Sequence, residues 1–406
     1  MLHWYKFHQG KIIWIGLILA FILGIATPHI FVHLDFISNT FINLLKLCAL
    51  PIVCTSLIVN IGNLPQIGQL KKVAFNSILY IIASEIIAVT IGLIIFNLFD
   101  VSRGINGASL LKGAVYSMPT DTKIDSAQIF NYLFSSNIFD SLVKFDILPI
   151  VVFSIMFGLT CAFNQSKAKP VLEFLSSGRD IFLQLLNAVM YLAPYAIFVL
   201  IGHAIADSYL TGSLSTNLIG LLKFVGLFFA SLFIHFLWPL VLVVFLYRHL
   251  SVRKILTEAI PIFATAFISS SSLAALPIAL EKAKELGGNR RVIDFMLPIC
   301  ASMNFASGMM YEITATLFFL HILGVNPDMA TQIILAIACI LTGIAVGGIP
   351  ETSMVSFVTI FNMAHIPLSA ISILMPLDRF VDRVRTMVNI FSNMCGTLIV
   401  SKSKIH

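Results

Sequence analysis

The stretch LDRFVDRVRTMVNIFSN, residues 377–393, sets five hydrogen-bonding side chains at helical spacing within an apolar chain. The five, at intervals of four, three, four and four residues, are Asp378, Asp382, Arg385, Asn389 and Asn393. At about 100° per residue they form a stripe roughly 80° wide on one helix face. Within a membrane, a charge at the bilayer centre costs at least about 2.5–3.5 kcal/mol, so this stripe should face protein or a wet cavity. The pattern predicts a polar ligand site; the alternative is a packed network of ion pairs between helices.

The rest of the chain has the composition of a membrane protein. Of its 406 residues 58% are hydrophobic and only 11% are charged, and the mean hydropathy is +0.97. A soluble domain carries about 25% charged residues, and the apolar runs here are long enough to cross about 30 Å of hydrocarbon. The net charge of +6 comes from short basic clusters between these runs, which is a topology signal and not a nucleic-acid surface. We therefore predict an all-α polytopic membrane protein that contacts membrane lipid and binds no nucleic acid.

Motifs of enzymes and metal sites are missing from the sequence. It has no H-E-x-x-H, no G-x-S-x-G and no glycine-rich phosphate loop. Its six cysteines stand singly in apolar runs, so neither a disulfide nor a metal site follows from them. Asp378 and Asp382 could suggest an intramembrane aspartyl protease, but the neighbouring arginines would keep both carboxyls ionised. The sequence therefore predicts a protein that is not an enzyme and has no cofactor.

The apolar runs resolve into eight predicted spans and two interrupted regions. The spans cover residues 12–31, 41–61, 73–99, 138–163, 171–206, 218–247, 292–323 and 366–400. The first interrupted region, 255–286, has four serines at 269–272 near its centre, and the second, 330–365, has a Gly-Gly-Ile-Pro turn at 347–350.

Loop charges orient these segments. By the positive-inside rule, loops rich in Lys and Arg should all lie on the cytoplasmic side. The loops of this chain satisfy the rule, apart from the longer loop 100–130, if each interrupted region enters and leaves the membrane on the same side. This requires two oppositely oriented re-entrant helical hairpins, and it puts both termini in the cytoplasm of a cell-membrane protein. Broken backbone at membrane depth is tolerated where it lines protein or a watery cavity, so both hairpin tips should point at a site.

The predicted hairpins and the polar stripe can hold an acidic ligand together. Serine hydroxyls and backbone N–H groups at the hairpin tips can bind a carboxylate, helped by helix dipoles. Asp382 can accept hydrogen bonds from an ammonium group, and Arg385 offers a planar fork to a second carboxylate. With Asn304 in the seventh span, these groups predict a pocket for an acidic amino acid or a dicarboxylate.

At this point the chain resembles the glutamate transporter family, the dicarboxylate/amino acid:cation symporters. The likeness is carried by the D-x-x-x-D-x-x-R-T-x-x-N string from Asp378, by the serine run followed by Leu276-Pro277, and by Asn304. The resemblance implies eight transmembrane helices, two re-entrant hairpins and a homotrimer. It also implies an elevator movement of a transport part, approximately residues 71–130 and 213–402, against a scaffold and trimerisation part, approximately 1–70 and 131–212.

The resemblance also implies which residues bind substrate. Carried over position by position, they are Ser271, Ser272, Ile349, Ser353, Asp382, Arg385, Thr386 and Asn389. In the family, the aspartate contacts the substrate amino group and the arginine contacts the side-chain carboxylate. Neutral-substrate members usually lack that arginine, so Arg385 favours aspartate or glutamate.

Two departures from the family concern the coupling ion. The family's seventh-helix motif is Asn-Met-Asp-Gly-Thr, whose Asp binds sodium, but residues 304–308 read Asn-Phe-Ala-Ser-Gly. A second sodium-binding Asp, on the last helix, is Asn393 here. Sodium prefers oxygen ligands, and without these charges its affinity should fall.

Carboxyl groups occur instead at Glu85, Glu312 and Glu351, and Glu312 matches a glutamate that carries a proton in some members. A carboxyl group removed from water can hold a proton near neutral pH. Glu85 could equally replace the lost aspartate charge. The candidate coupling-ion residues are Asn304, Asn389, Asn393, Ser302, Glu85 and Glu312.

The sequence thus predicts a secondary active symporter for glutamate, aspartate or a dicarboxylate, coupled to a proton, to sodium, or to both. Two alternatives stay open. One is an uncoupled relative that conducts anions or senses substrate, and the other is a transporter of another small amino acid.

Overall fold

Helices make up all the regular structure in the residues that the computed structural model describes, which are 15–63, 71–99, 101–102, 105, 111, 135–144, 147–346 and 353–402. In chain order they are α1 (Ile15–Ala26), α2 (Ile30–His33), α3 (Asp35–Gly62), α4 (Lys71–Phe99), α5 (Ile138–Lys144), α6 (Ile147–Phe163), α7 (Gln165–Val189), α8 (Ala193–Leu210), α9 (Leu214–Leu246), α10 (Val252–Ser269), α11 (Ser272–Glu285), α12 (Arg290–Met303), α13 (Ala306–Ile322), α14 (Met329–Val346), α15 (Ser353–Met363) and α16 (Ser369–Lys402).

Several of these helices have the length and surface of membrane spans. The five described stretches that are long and apolar enough to cross a bilayer are Phe36–Gly62, Lys72–Phe99, Gln165–Leu210, Leu214–Leu246 and Arg290–Ile322. Their outer faces expose large apolar side chains such as Phe75, Leu222 and Phe245. Such a surface is unfavourable in water and suits lipid. The described part of the chain is therefore all-helical, and the protein is a multi-pass membrane protein, as its composition predicts.

Three of the predicted spans are interrupted within the described residues. The first, 12–31, divides into α1 and α2 at residues 27–29. The segment 171–206 divides into α7 and α8 at a 3-10 turn, Met190–Leu192, and Pro194 stands in the first turn of α8. Proline suits a first turn because the first N–H groups of a helix have no partner within it. The segment 292–323 divides into α12 and α13 at Asn304 and Phe305, whose backbones are not helical. Each of the latter two stretches still has the average hydropathy of a single span, so a hydropathy window does not reveal their breaks.

The serine run forms a tight junction between α10 and α11. Ser270 has a left-handed backbone (φ 51°) and Ser271 is extended, which turns the chain between the two helices. The Ser271 hydroxyl accepts a hydrogen bond from the Ala274 N–H (3.3 Å) and so caps α11. The two helices pack against each other and both pack on α16.

The second predicted hairpin corresponds to α14 and α15, which also pack against each other. Its tip, residues 347–352, lies outside the described residues, and with it the predicted site residue Ile349 and the tip residue Glu351. Asp328 accepts a hydrogen bond from the Thr331 N–H (2.8 Å) at the start of α14. His365 has a left-handed backbone (φ 54°) just after α15, where the chain turns towards α16.

The helices α13 and α16 occupy the interior. Almost every side chain of α13 is buried, which is typical of a helix surrounded by others. The ring of Tyr311 on this helix contacts the rings of Phe228 on α9 and Phe357 on α15. The helix α16 packs on α9, α10, α11, α12 and α13. The polar stripe of α16 therefore lies inside the protein and not against lipid.

Gly396 offers a test of this interior packing. A Cβ added there would overlap the ring of Tyr80, whose hydroxyl donates a hydrogen bond to the Ser392 carbonyl (2.6 Å). We expect Gly396→Ala to displace that ring and to reduce stability by about 1–3 kcal/mol, seen as a lower melting temperature of the purified protein in detergent. The matched control is Gly226→Ala on α9, where no atom lies within 4 Å of the added Cβ. Equal losses in both variants would contradict this account of the packing.

Candidate functional site

The polar stripe predicted from residue spacing lies on α16 and is buried. Asp378, Asp382, Asn389 and Asn393 are all less than a tenth exposed, and Arg385 has no exposed surface. A side chain that can form hydrogen bonds is stable in such a place only when it finds partners. The partners of each member therefore indicate what the site can do.

Arg385 is the cation at the centre of the site. Its Nη2 atom donates hydrogen bonds to Asp378 Oδ1 (2.6 Å), Asp382 Oδ1 (3.1 Å) and Ser353 Oγ (2.9 Å). The guanidinium also lies over the ring of Tyr311, 4.8 Å from its centroid. Its Nε and Nη1 atoms have no hydrogen-bond partner in the described part of the chain. The network of ion pairs that the spacing allowed is therefore present, but it uses only one of the three guanidinium nitrogens.

The remaining predicted substrate residues surround this cation to different degrees. Ser353, at the start of α15, is the one that contacts Arg385 directly. Thr386 is buried and its hydroxyl donates to the Asp382 carbonyl (2.8 Å) in its own helix. Ser271 and Ser272 stand at the start of α11, and Ser272 is buried. The structure thus brings α11, α15 and α16 into one packed assembly, with Arg385 and Ser353 in contact.

Asn389 caps the N-terminus of α13 from a different helix. Its Oδ1 accepts hydrogen bonds from the Ser307 N–H (3.1 Å) and from the Ser307 hydroxyl (2.7 Å). The Phe305 side chain at the N-cap position forms no such bond, and the first N–H groups of a helix lack partners within it. The Asn389 amide therefore does for α13 what a polar N-cap side chain ordinarily does.

Asn393, one turn further along α16, holds the other end of the same break. Its Nδ2 donates to the Cys300 carbonyl (3.1 Å), near the C-terminus of α12, and its Oδ1 accepts from Asn304 Nδ2 (2.7 Å). Asn304 Nδ2 also lies 3.4 Å from Ser84 Oγ on α4. Two asparagines of α16 thus stabilise the two helix ends at the break, one at the end of α12 and one at the start of α13.

Glu85 and Glu312 are completely buried carboxyls that contact no counter-ion among the residues that the structure describes. Neither carboxyl has a hydrogen-bond partner in the described ranges. Glu85 stands next to Ser84 on α4, near the Phe305 N–H at the break and within electrostatic reach of Cys300. The Asn304 Oδ1 atom there also lacks a partner. An unpaired buried carboxylate and an unpaired carbonyl oxygen together suit a proton or a small hard cation.

Glu312 lies one residue after Tyr311, within electrostatic reach of Arg385 and Asp378. The hydroxyls of Ser356 and Thr342 face its carboxyl group without forming hydrogen bonds of regular geometry, and Ser356 Oγ itself has no described partner. An ionised carboxylate would be poorly stabilised in these surroundings, whereas a protonated one is neutral. Glu312 therefore has the surroundings of a group that takes up a proton.

Ser302, a predicted coupling-ion residue, has different neighbours from the others. Its hydroxyl donates to the Ile299 carbonyl (2.9 Å) within α12. It lines a cavity of about 230 Å³ between α3, α7 and α12. The other residues that line this cavity are Val59, Asn60, Asn63, Ser176, Arg179, Ile299 and Met303. The structure therefore does not bring the Ser302 hydroxyl into contact with the amides at the break.

Three members of the site do not follow from the sequence argument. Ser307 and the Cys300 carbonyl hold the asparagines, and Tyr80 donates to Ser392 beside them. Tyr80 and Ser84 are four residues apart and therefore lie on the same helix face. Helical periodicity could have identified them as a second polar face. Ser307 gives no such signal, because its role depends on the break before α13.

Comparisons with known proteins identify the family of this chain. The model of the sodium:dicarboxylate symporter family matches residues 10–403. The chain is 30% identical over 399 residues to the proton/sodium-glutamate symport protein of Geobacillus stearothermophilus, covering 96% of this chain and 93% of that protein. It is 30% identical over 404 residues to the protein of the same name in Bacillus subtilis, covering 98% and 93%. It is 27% identical over 396 residues to the C4-dicarboxylate transport protein of Bacillus subtilis, covering 96% and 92%. The resemblance seen in the sequence is confirmed: this chain belongs to the sodium:dicarboxylate symporter family.

Proposed function

We propose that this chain is a secondary active symporter that carries aspartate or glutamate across the cell membrane. The observation that carries the proposal is Arg385, a fully buried guanidinium whose Nε and Nη1 donors have no partner among the described residues. Leaving such donors unpaired in the interior is costly, and the oxygens of a carboxylate are the acceptors that suit them best. Relatives named as glutamate, glutamate-aspartate and C4-dicarboxylate transporters support the same substrate class.

The charges around Arg385 favour an amino acid over a dicarboxylate that has no amino group. Asp382 lies 3.1 Å from the guanidinium and places a negative charge at the edge of the site. That charge attracts a substrate ammonium group and repels a ligand that is negative at both ends. The proposed contacts are Asp382 for the ammonium, Arg385 for the side-chain carboxylate, and, for the rest of the substrate, Ser271, Ser272, Ile349, Ser353, Thr386 and Asn389.

The proposed coupling ion at this site is a proton held by Glu312. Its carboxyl group has no described hydrogen-bond partner, lies next to Tyr311, and is within electrostatic reach of Arg385. A proton on Glu312 removes a negative charge near the position proposed for the substrate carboxylate. Binding of the proton and binding of an anionic substrate should therefore favour each other.

Glu85 is the second proposed coupling residue. Its carboxyl group and the Asn304 Oδ1 atom are buried oxygen atoms without described partners, beside the break between α12 and α13. They could hold either a second proton or sodium as a transported ion. Relatives whose names include both proton and sodium support a cation in general.

The family membership supports a larger mechanism, which we propose for this chain as well. In this proposal the protein has eight transmembrane helices and both termini in the cytoplasm. The pairs α10–α11 and α14–α15 are two oppositely oriented re-entrant hairpins. Residues 71–130 and 213–402 form a transport part that moves as an elevator within a homotrimer. Residues 1–70 and 131–212 form its scaffold. The packing of α10, α11 and α12 on α16 agrees with a single transport unit.

Uptake by the purified protein in proteoliposomes tests the substrate class. We expect labelled L-aspartate to be accumulated, and unlabelled aspartate or glutamate to compete at concentrations at least about tenfold lower than succinate or alanine, since each lacks one proposed ionic contact. Competition by succinate as strong as by aspartate would contradict the role proposed for Asp382. Equal competition by alanine would contradict the role of Arg385.

A further inference from the structure

The break between α12 and α13 leaves backbone and side-chain oxygens close together beside α16. The Cys300 carbonyl accepts two hydrogen bonds, one from the Asn304 N–H (2.9 Å) and one from Asn393 Nδ2 (3.1 Å). Asn393 Oδ1 accepts from Asn304 Nδ2 (2.7 Å). A carbonyl oxygen can only accept a hydrogen bond, so the NH₂ end of the Asn393 amide must face Cys300. The oxygen of Asn393 then faces Asn304, which must present its own NH₂ end in return.

These hydrogen bonds leave no free oxygen lone pair on Cys300 for a cation to bind. A carbonyl oxygen has two lone pairs, and both of those on Cys300 are directed at N–H groups. A sodium ion bound by oxygens between Cys300 and Asn393 would have to displace the Nδ2 group, which lies between them. The residues present therefore do not fit sodium on this side of the break.

We infer that the amide pair of Asn304 and Asn393 takes the place of a cation at this break, so that Asn393 is a positioning residue that closes this position to sodium. This inference rests on the proposed function, since only a cation symporter has a reason to bind sodium here. It concerns only the contact between Cys300 and Asn393, whereas the transported ion is proposed above at Glu85 and Asn304 Oδ1.

The inference predicts what a carboxylate would do at position 393. Asn393→Asp replaces the Nδ2 donor by an oxygen, so that two oxygens would face each other at about 3 Å, where a donor and an acceptor now meet. The new negative charge would also be fully buried, because residue 393 has no exposed surface. A sodium ion would relieve both effects because oxygen atoms are its preferred ligands. The variant should therefore bind sodium at this position, whereas the natural chain does not.

The melting temperature of the purified full-length protein in detergent, without substrate, tests this inference. NaCl is increased at constant ionic strength, with choline chloride as the replacement. We expect the rise in melting temperature with sodium to be larger in Asn393→Asp than in the natural protein by about 3 °C or more. The Asn289→Asp variant, at the exposed N-cap of α12, is the matched control. Its carboxylate keeps the acceptor role towards the Arg291 N–H, so its response to sodium should equal that of the natural protein.

A second variant covers the case in which Asn393→Asp does not fold. Asn393→Ser removes the amide from the Cys300 carbonyl and keeps an oxygen without adding a charge, so it should gain a smaller sodium response. Equal sodium responses in Asn393→Asp, Asn289→Asp and the natural protein would overturn the inference. So would failure of both Asn393→Ser and Asn393→Asp to fold even in sodium. Because no substrate is present, these outcomes are independent of whether aspartate proves to be transported.

Discussion

Replacing Arg385 by alanine should lower kcat/KM for aspartate uptake by about 100-fold or more. Hydrogen bonds to charged groups contribute about 1.5–3 kcal/mol each, and the proposed substrate carboxylate would lose its charged partner. The measurement is initial uptake of labelled L-aspartate into proteoliposomes, compared with uptake of L-serine, which has no side-chain carboxylate. We expect the ratio of aspartate to serine uptake to fall by a similar factor.

A general loss of structure is separated from this effect by two further variants. Without Arg385, the carboxylates of Asp378 and Asp382 would be buried with no cation, which destabilises proteins strongly. Adding Asp378→Asn to Arg385→Ala removes part of that excess charge and should restore the melting temperature without restoring aspartate uptake. Arg248→Ala, at an exposed position after α9, should leave uptake within about twofold. Aspartate uptake retained in Arg385→Ala would contradict the proposed site.

Replacing Glu312 by glutamine should abolish the coupling of uptake to a proton gradient while sparing exchange. Glutamine has nearly the shape of a protonated glutamate, but it cannot release a proton. We therefore expect accumulation driven by an inward proton gradient to disappear. Exchange of internal for external aspartate, which needs no net proton movement, should stay within about threefold of the natural protein.

The control for this variant is another carboxyl group on the same chain. Glu258 on α10 is partly exposed and pairs with Lys282 on α11 (3.0 Å), away from the buried network of Arg385. Glu258→Gln should leave both exchange and proton-driven accumulation intact, because an exposed ion pair contributes little. Proton-driven accumulation that persists in Glu312→Gln would show that another group carries the proton, and Glu85 would be the next candidate.

Residue spacing was sufficient to predict the polar face of α16, because a period of 3.6 residues leaves no other element in which these five side chains align. The same spacing could not decide between a ligand site and an ion-pair network, and the structure contains elements of both. Asp378 and Asp382 pair with Arg385, yet two guanidinium nitrogens keep their donors unused by the described residues. The pairing depends on side-chain rotamers that no periodicity encodes.

The break at Asn304 and Phe305 could not be predicted from residue spacing. Apolar residues continue on both sides of it, so the sequence pattern still predicts one helix. Two amides of α16 stabilise the break, in contacts between residues that lie 82 to 93 positions apart in the chain, and contacts at such sequence separation leave no local signal. The family resemblance pointed to Asn304, Asn389 and Asn393, but only the coordinates give the orientation of each amide. That orientation distinguishes an asparagine that binds a cation from one that replaces it.

The most direct test of the central claim is accumulation of labelled L-aspartate in proteoliposomes under separately imposed gradients. An inward proton gradient without sodium is compared with an inward sodium gradient at equal pH, both at the same membrane potential. The account predicts that the proton gradient alone drives aspartate above its external concentration. Accumulation only with sodium would contradict proton coupling at Glu312. No accumulation under either gradient, with exchange intact, would show an uncoupled carrier and contradict the proposal of symport.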